Sequence, residues 1–247
     1  MPELLTERAA AGDIIVYVTN NSRWHRDDYL ARLAGMGAPV SADRIVTAAR
    51  GTALALADRT DPVERVMVFG GPGLVREIRD VGLRTVAATE HGLAAEPDTI
   101  VVGVDFGLTY LRLSIAAEAI RGGSCFVATN RDPVFPVPDR FRAGAGSLVA
   151  ALVVAGGREP DLVVGKPEPG LYRAAAALVG VPVEEAVVIG DGLGTDILAA
   201  TRVRARSVLM LTGVSTAEQA AALPVAERPD HVVSDPAALR PLLERLH

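Results

Sequence analysis

Short apolar runs of strand length alternate with segments of helical period along most of the chain. Leu4 to Ala11 reads as a helix that Gly12 ends, and Ile14 to Val18 as a fully buried strand. Asp27 to Leu33 reads as a helix with Tyr29, Leu30 and Leu33 on one face. The strands RIVTA, RVMVFG, TIVVGV and SCFVAT follow, separated by helical stretches such as TALALAD and YLRLSIAAEAI. After Asp161 the theme repeats: DLVVG, AVVIGD, RSVLML and DHVVS each precede a helix. Strands that are apolar at every position, rather than at alternate ones, suit a parallel sheet covered on both faces. The expected fold class is therefore α/β, with a doubly wound parallel sheet of Rossmann-like type. The proline-rich stretch from Asn130 to Phe141 breaks the alternation and reads as a surface loop or domain edge.

Ligands of such sheets bind beyond the carboxyl ends of the strands, so residues directly after strands are the candidates for chemistry. Three polar clusters stand there. Thr19-Asn20-Asn21-Ser22 either holds an anion or caps the following helix through Asn21 or Ser22. Lys166, in VVGKPEP, either neutralises a phosphate or carboxylate or is a surface lysine. Asp191 and Asp196, in VVIGDGLGTDI, either form a hard-oxygen site suited to Mg²⁺ or belong to a glycine turn with an acidic helix start.

Bulk properties narrow the partners. The 247 residues suffice for one large or two modest domains. Thirty acidic against 25 basic residues give a net charge of −5, which disfavours a nucleic-acid footprint. The single cysteine, Cys125, cannot form an internal disulfide, in keeping with a reducing cytoplasm. No run is apolar over the length a bilayer requires, and no signal-peptide pattern opens the chain, so neither a membrane nor a nucleic acid is expected as a partner.

Taken in order, the hydroxyl cluster VTNNS, the lysine cluster VGKPEP and the acidic cluster GDGLGTD resemble the haloacid dehalogenase (HAD) superfamily of phosphohydrolases. More narrowly they resemble its class IIA, in which a large α/β cap is inserted between the second and third motifs. Sugar-phosphate, phosphoglycolate and nitrophenyl-phosphate phosphatases belong to that class. VVGVDFGLTYLRL, FVATNRDPVFPVP and GAGSLVAAL look like its cap. The resemblance implies a core from 1–59 and 158–247 and a cap from 60–157. It implies that Thr19 with Asn20 and Asn21 binds phosphate, that Lys166 balances phosphate and nucleophile charge, and that Asp191 binds Mg²⁺ with Asp196 in support. Asn130, Arg131 and Asp132 would be cap residues near the substrate, with an Asn-Asp turn as the alternative. A small phosphorylated metabolite is the implied substrate, and a homodimer through the cap is an expectation of the same kind.

In the family an aspartate attacks phosphorus to form an aspartyl-phosphate, and a second aspartate two residues later handles the proton. Both lie in an Asp-x-Asp-Gly motif after the first strand. No such motif precedes Gly12, where only MPELLTERAAA stands. The chain as written is therefore expected to lack the nucleophile, to be inactive and to represent a truncated form; a non-catalytic relative that binds a phosphorylated ligand or a protein is the alternative. Asp105 follows an apolar strand but falls within the cap-like region, and Asp13 begins a strand rather than ending one, so neither is taken as the nucleophile. Trp24, His91 and Cys125 read as packing or surface residues, and Phe69 to Leu74 as a strand-to-helix turn.

Overall fold

The computed structural model describes Met1–Leu246. Its strands, in chain order, are β1 (Tyr17–Thr19), β2 (Ile45–Thr47), β3 (Arg65–Phe69), β4 (Arg84–Ala87), β5 (Thr99–Val102), β6 (Cys125–Ala128), β7 (Val134–Val137), β8 (Arg140–Ala143), β9 (Leu162–Val163), β10 (Val187–Gly190), β11 (Arg206–Met210) and β12 (His231–Val233). The chain divides into two compact units. The first comprises Met1–Tyr17, Leu30–Ile45 and Lys166–His247, the second Val18–Tyr29 and Val46–Gly165. The second unit thus runs beyond 60–157 on both sides. At its carboxyl side the cause is β9, which pairs with β6 and extends that unit's sheet.

In the second unit a parallel sheet has the order β4-β3-β5-β6-β9. The apolar run of β3 lies between β4 and β5, so Val66, Met67, Val68 and Phe69 are all buried, as a strand covered on both faces demands. Thr109 starts the helix Tyr110–Arg121 by accepting a hydrogen bond from the Arg112 N–H. Ile115 and Ile120 of this helix meet Phe69, Phe126, Leu148 and Leu152 in one core. Gly156 permits the close pass of the neighbouring helix Ala145–Gly156, because a Cβ there would stand 2.7 Å from Ile120 Cγ2.

In the first unit β10, β11 and β12 pair in parallel. Leu4, from the helix Pro2–Ala10, packs with Val208, Met210, Val233, Leu239 and Leu242. The helix ends as its sequence indicates, with Gly12 at φ +103°. Among the described residues no helix is long and apolar enough to cross a membrane.

Two local expectations are corrected. The strand expected over Ile14 to Val18 is the shorter β1, which is only half-buried, and Ile14 is 46% exposed. β1 and β2 form a two-stranded sheet, which lacks the flanking strands that would bury a continuous apolar run. The proline-rich stretch expected as a loop contains the antiparallel hairpin β7–β8, with Val137 opposite Arg140. Its turn places Pro138 first and Asp139 second, at φ +66°, the backbone demand of a type II turn.

Candidate active site

Asp191 directly follows β10, and a π-helical turn, Leu193–Ile197, brings Asp196 back towards the same strand end. The approach depends on Gly190, where a Cβ would lie 2.3 Å from the Asp196 Cβ. Asp196 Oδ1 accepts from Lys166 Nζ at 2.5 Å and from the Tyr172 hydroxyl at 3.4 Å. Its Oδ2 accepts from the Gly192 N–H at 3.1 Å and from Thr195 Oγ1 at 3.4 Å. Lys166 and Asp196 are both buried. Burial, then the Asp196 charge, push the Tyr172 phenol far above its ordinary pKa, so it stays a neutral donor.

Asp191 differs. Its Oδ2 accepts one hydrogen bond, from the Val214 N–H at 3.2 Å. A Cβ at Gly213 would fall 1.9 Å from that same oxygen, so Gly213 is the cradle into which the carboxylate fits. Mg²⁺ is typically held by one or two carboxylates together with waters and substrate phosphate. Asp191 fits that donor set. Asp196, with both oxygens engaged by protein donors, fits the part of supporting acid rather than open ligand. Sequence spacing offered no sign of Tyr172, Thr195 or Gly213.

The hydroxyl cluster lies in the second unit. Thr19 Oγ1 accepts from the Asn21 N–H at 3.3 Å. Asn21 Oδ1 accepts from the N–H groups of Arg23 and Trp24, at 2.8 and 3.2 Å. Ser22 Oγ, fully buried, accepts from the Val104 N–H at 3.1 Å. Neither Asn21 nor Ser22 caps the helix Arg26–Gly35, so that alternative is corrected: Asn21 closes a side-chain turn instead. Asn20 Nδ2 donates to both Asp132 oxygens at 3.1 Å, and Asn130 Nδ2 donates to the Asn20 carbonyl at 2.7 Å. The Asp132 N–H in turn donates to Asn130 Oδ1 at 3.0 Å. Asn130 and Asp132 therefore form a turn and also meet Asn20. Arg131 points elsewhere and pairs with Glu159 at 2.6 Å. Asp105 is tied to Arg112 at 2.7 Å and accepts from the Gly107 N–H at 2.7 Å.

His25, Glu77 and Asp80 also cluster closely enough to suggest a metal centre. The hydrogen bonds argue against one. His25 Nδ1 accepts from the Asp27 N–H at 3.1 Å, which leaves Nε2 to carry the proton and donate to Asp80 at 3.0 Å. Arg26 pairs with both Glu77 and Asp80. The cluster is a hydrogen-bonded clasp that ties residues 25–26 to the helix Pro72–Asp80.

Known proteins resemble the chain as a whole. A haloacid dehalogenase-like hydrolase profile matches residues 1–84, and a HAD-hydrolase-like profile matches residues 163–239. Chronophin from Bos taurus is 37% identical over 240 residues, covering 94% of this chain and 81% of its own length. The p-nitrophenyl phosphatase from Archaeoglobus fulgidus superposes with a TM-score of 0.87 at 32% identity, over 97% of this chain and 90% of that one. A glycerol phosphate phosphatase from Mycobacterium tuberculosis, solved in complex with magnesium, superposes with a TM-score of 0.84 at 34% identity, over 98% of this chain and 70% of that one. With identities of this size over nearly its whole length, the chain belongs to the haloacid dehalogenase-like hydrolases, in their class IIA of phosphatases.

Proposed function

We propose that the chain carries the phosphate- and Mg²⁺-handling part of a phosphatase for small phosphorylated metabolites. The observation that carries this reading is the buried Lys166–Asp196 pair, 2.5 Å long, beside the cradled carboxylate of Asp191 at the end of β10. Phosphoryl transfer rests largely on positioning and charge stabilisation, and a fixed lysine next to a free carboxylate is suited to both. Bound Mg²⁺ would supply charge neutralisation at the phosphate. Asp191 would hold it, Asp196 would orient Lys166, and Tyr172 and Gly192 would keep Asp196 in place. The roles of Thr19, Asn20 and Asn21 in phosphate binding, and of Asn130, Arg131 and Asp132 in selecting the substrate, rest on the match to the family's motifs. The p-nitrophenyl phosphatase and the glycerol phosphate phosphatase support a small phosphorylated substrate.

The second reading is that of a binder of phosphorylated ligands without turnover, to which a Lys166 already matched by Asp196 is also suited. One experiment separates the two. Hydrolysis of p-nitrophenyl phosphate and glycerol 3-phosphate is measured with Mg²⁺ for the chain as written and for a form with an apolar strand and Asp-x-Asp-Gly fused ahead of Met1. The expected result is no turnover by the first and Mg²⁺-dependent turnover by the second, lost on Lys166→Ala. Inactivity of a folded fusion supports the binder. Turnover by the unfused chain that disappears on Asp105→Ala would overturn the assignment of residues.

A further inference from the structure

The second unit contains a cavity of about 740 Å³ whose lining includes Arg23, Arg76, Arg79, Arg112, Asp105 and Phe106. Its size lies in the range of small-molecule sites, roughly 300–1,000 Å³. Four arginines and a single carboxylate are among its lining residues. Asp105 neutralises Arg112 at 2.7 Å, and Asp27 neutralises Arg76 at 2.6 Å. Among the described residues, Arg23 and Arg79 have no carboxylate partner.

Those two side chains are nevertheless held in place. The Arg23 guanidinium lies over the Phe106 ring at 4.0 Å and near the Trp24 ring at 4.9 Å. Phe106 is itself fixed by an edge contact with Phe135, with ring centroids 5.5 Å apart. Stacking engages the face of a guanidinium and leaves its N–H edge available to an anion. Arg79 donates through Nε to Thr85 Oγ1 at 2.7 Å, which anchors the stem side and leaves the terminal nitrogens. Arg112 is braced by the Gly107 carbonyl at 2.9 Å. A pocket whose unbalanced cations are already oriented favours an anion, because little side-chain freedom remains to be lost on binding.

We propose that this cavity is a binding site for a small polyanion, a molecule bearing phosphate or carboxylate groups with at least two negative charges. The site is built from the second unit alone and does not involve Lys166 or Asp191. None of its arginines is assigned above to phosphate or metal handling.

The test is calorimetric titration of the full chain with inorganic pyrophosphate in buffer freed of metal over a chelating resin, with no soluble chelator or other multivalent anion present. Saturable binding is expected. Arg23→Gln and Arg79→Gln should each weaken it by about tenfold or more, the usual consequence of losing a charged hydrogen bond. Lys166→Ala should leave it unchanged. Asp105→Asn keeps an acceptor for the Gly107 N–H but removes the competing charge, and should tighten binding several-fold. This gain keeps the proposal open to refutation if an arginine variant does not fold. No saturable binding by the parent chain, binding indifferent to both arginine variants and to Asp105→Asn, or binding lost on Lys166→Ala would each overturn it.

Discussion

Replacing Lys166 with methionine should loosen the strand ends around β10 and β11. The substitution retains most of the apolar stem but removes the charge that Asp196 Oδ1 meets at 2.5 Å. The two side chains are 10% and 11% exposed, so water cannot readily take the lysine's place. Breaking a buried pair by removing one partner destabilises by about 3–5 kcal/mol. Asp196 would keep the Gly192 N–H, Thr195 and Tyr172 as donors, which puts the lower end of that range in force. About 3 kcal/mol corresponds to roughly a hundredfold faster amide exchange in segments whose opening exposes the pair. Hydrogen-exchange mass spectrometry of peptides spanning 187–211 reads this locally, without assuming that the two units unfold together. Asp196→Asn in the Lys166→Met background should restore much of the protection, because it removes the stranded charge. An increase below about threefold, or strictly additive effects of the two substitutions, would refute the coupling.

Three further outcomes follow from individual contacts. Ser22→Ala should destabilise the second unit by about 1–3 kcal/mol, read from denaturant melts, because the Val104 N–H loses its buried acceptor. Gly213→Ala forces Asp191 from its cradle and should weaken Mg²⁺ binding at least tenfold by calorimetry, while Gly213→Ala in an Asp191→Ala background should have no further effect on that binding. Burial alone would raise the pKa of Asp161, but donors from Arg158 and the Phe126 N–H outweigh it and lower the net value. Its ionised form therefore adds stability above the unfolded pKa of about 4, lost as pH falls through the lower folded value, and Asp161→Asn should flatten the acid side of the stability profile there.

The sheet strands were legible where the chain carries uninterrupted apolar residues, as in β3, β5, β6 and β11. β7 and β8 were not. Each is only four residues long, β8 is wholly exposed, and β7 contains Pro136, so no buried apolar run marks them. Lys166, Asp191 and Asp196 stood out because each follows a strand-like run, but spacing could not show that Lys166 reaches Asp196 across 30 residues. Tyr172 gave no sign at all, since its role depends on a helix turning its hydroxyl inward. Arg131 was grouped with its neighbours, yet the turn closed by Asn130 and Asp132 sends it to Glu159. The arginine-lined cavity draws on residues from 23 to 112, a span that no linear motif covers.

In sequence only the family resemblance set Asp191, as Mg²⁺ ligand, apart from Asp196, its supporting acid; the fold supplies a physical reason for the difference. Asp196 balances Lys166 within a buried pair, so the Lys166–Asp196–Asp191 group carries one net negative charge, located on Asp191. Such a group does not attract a phosphate by its own field, since the lysine's charge is already matched. A cation bound at Asp191 would reverse the sign. Phosphate and Mg²⁺ should therefore bind with positive coupling, each raising the other's affinity by the same factor, as linkage requires. Titration of inorganic phosphate at increasing Mg²⁺, and of Mg²⁺ at increasing phosphate, measures that factor twice, with the Arg23→Gln/Arg79→Gln double variant used so that the arginine cavity does not contribute. A factor of five or more is expected, within the usual range of coupling between sites. Removing the carboxylate with Asp191→Asn should abolish the coupling and strengthen metal-free phosphate binding. Phosphate affinity independent of Mg²⁺ in the double variant would mean that Lys166 remains available to the anion, and that its pairing with Asp196 does not govern the charge of the site.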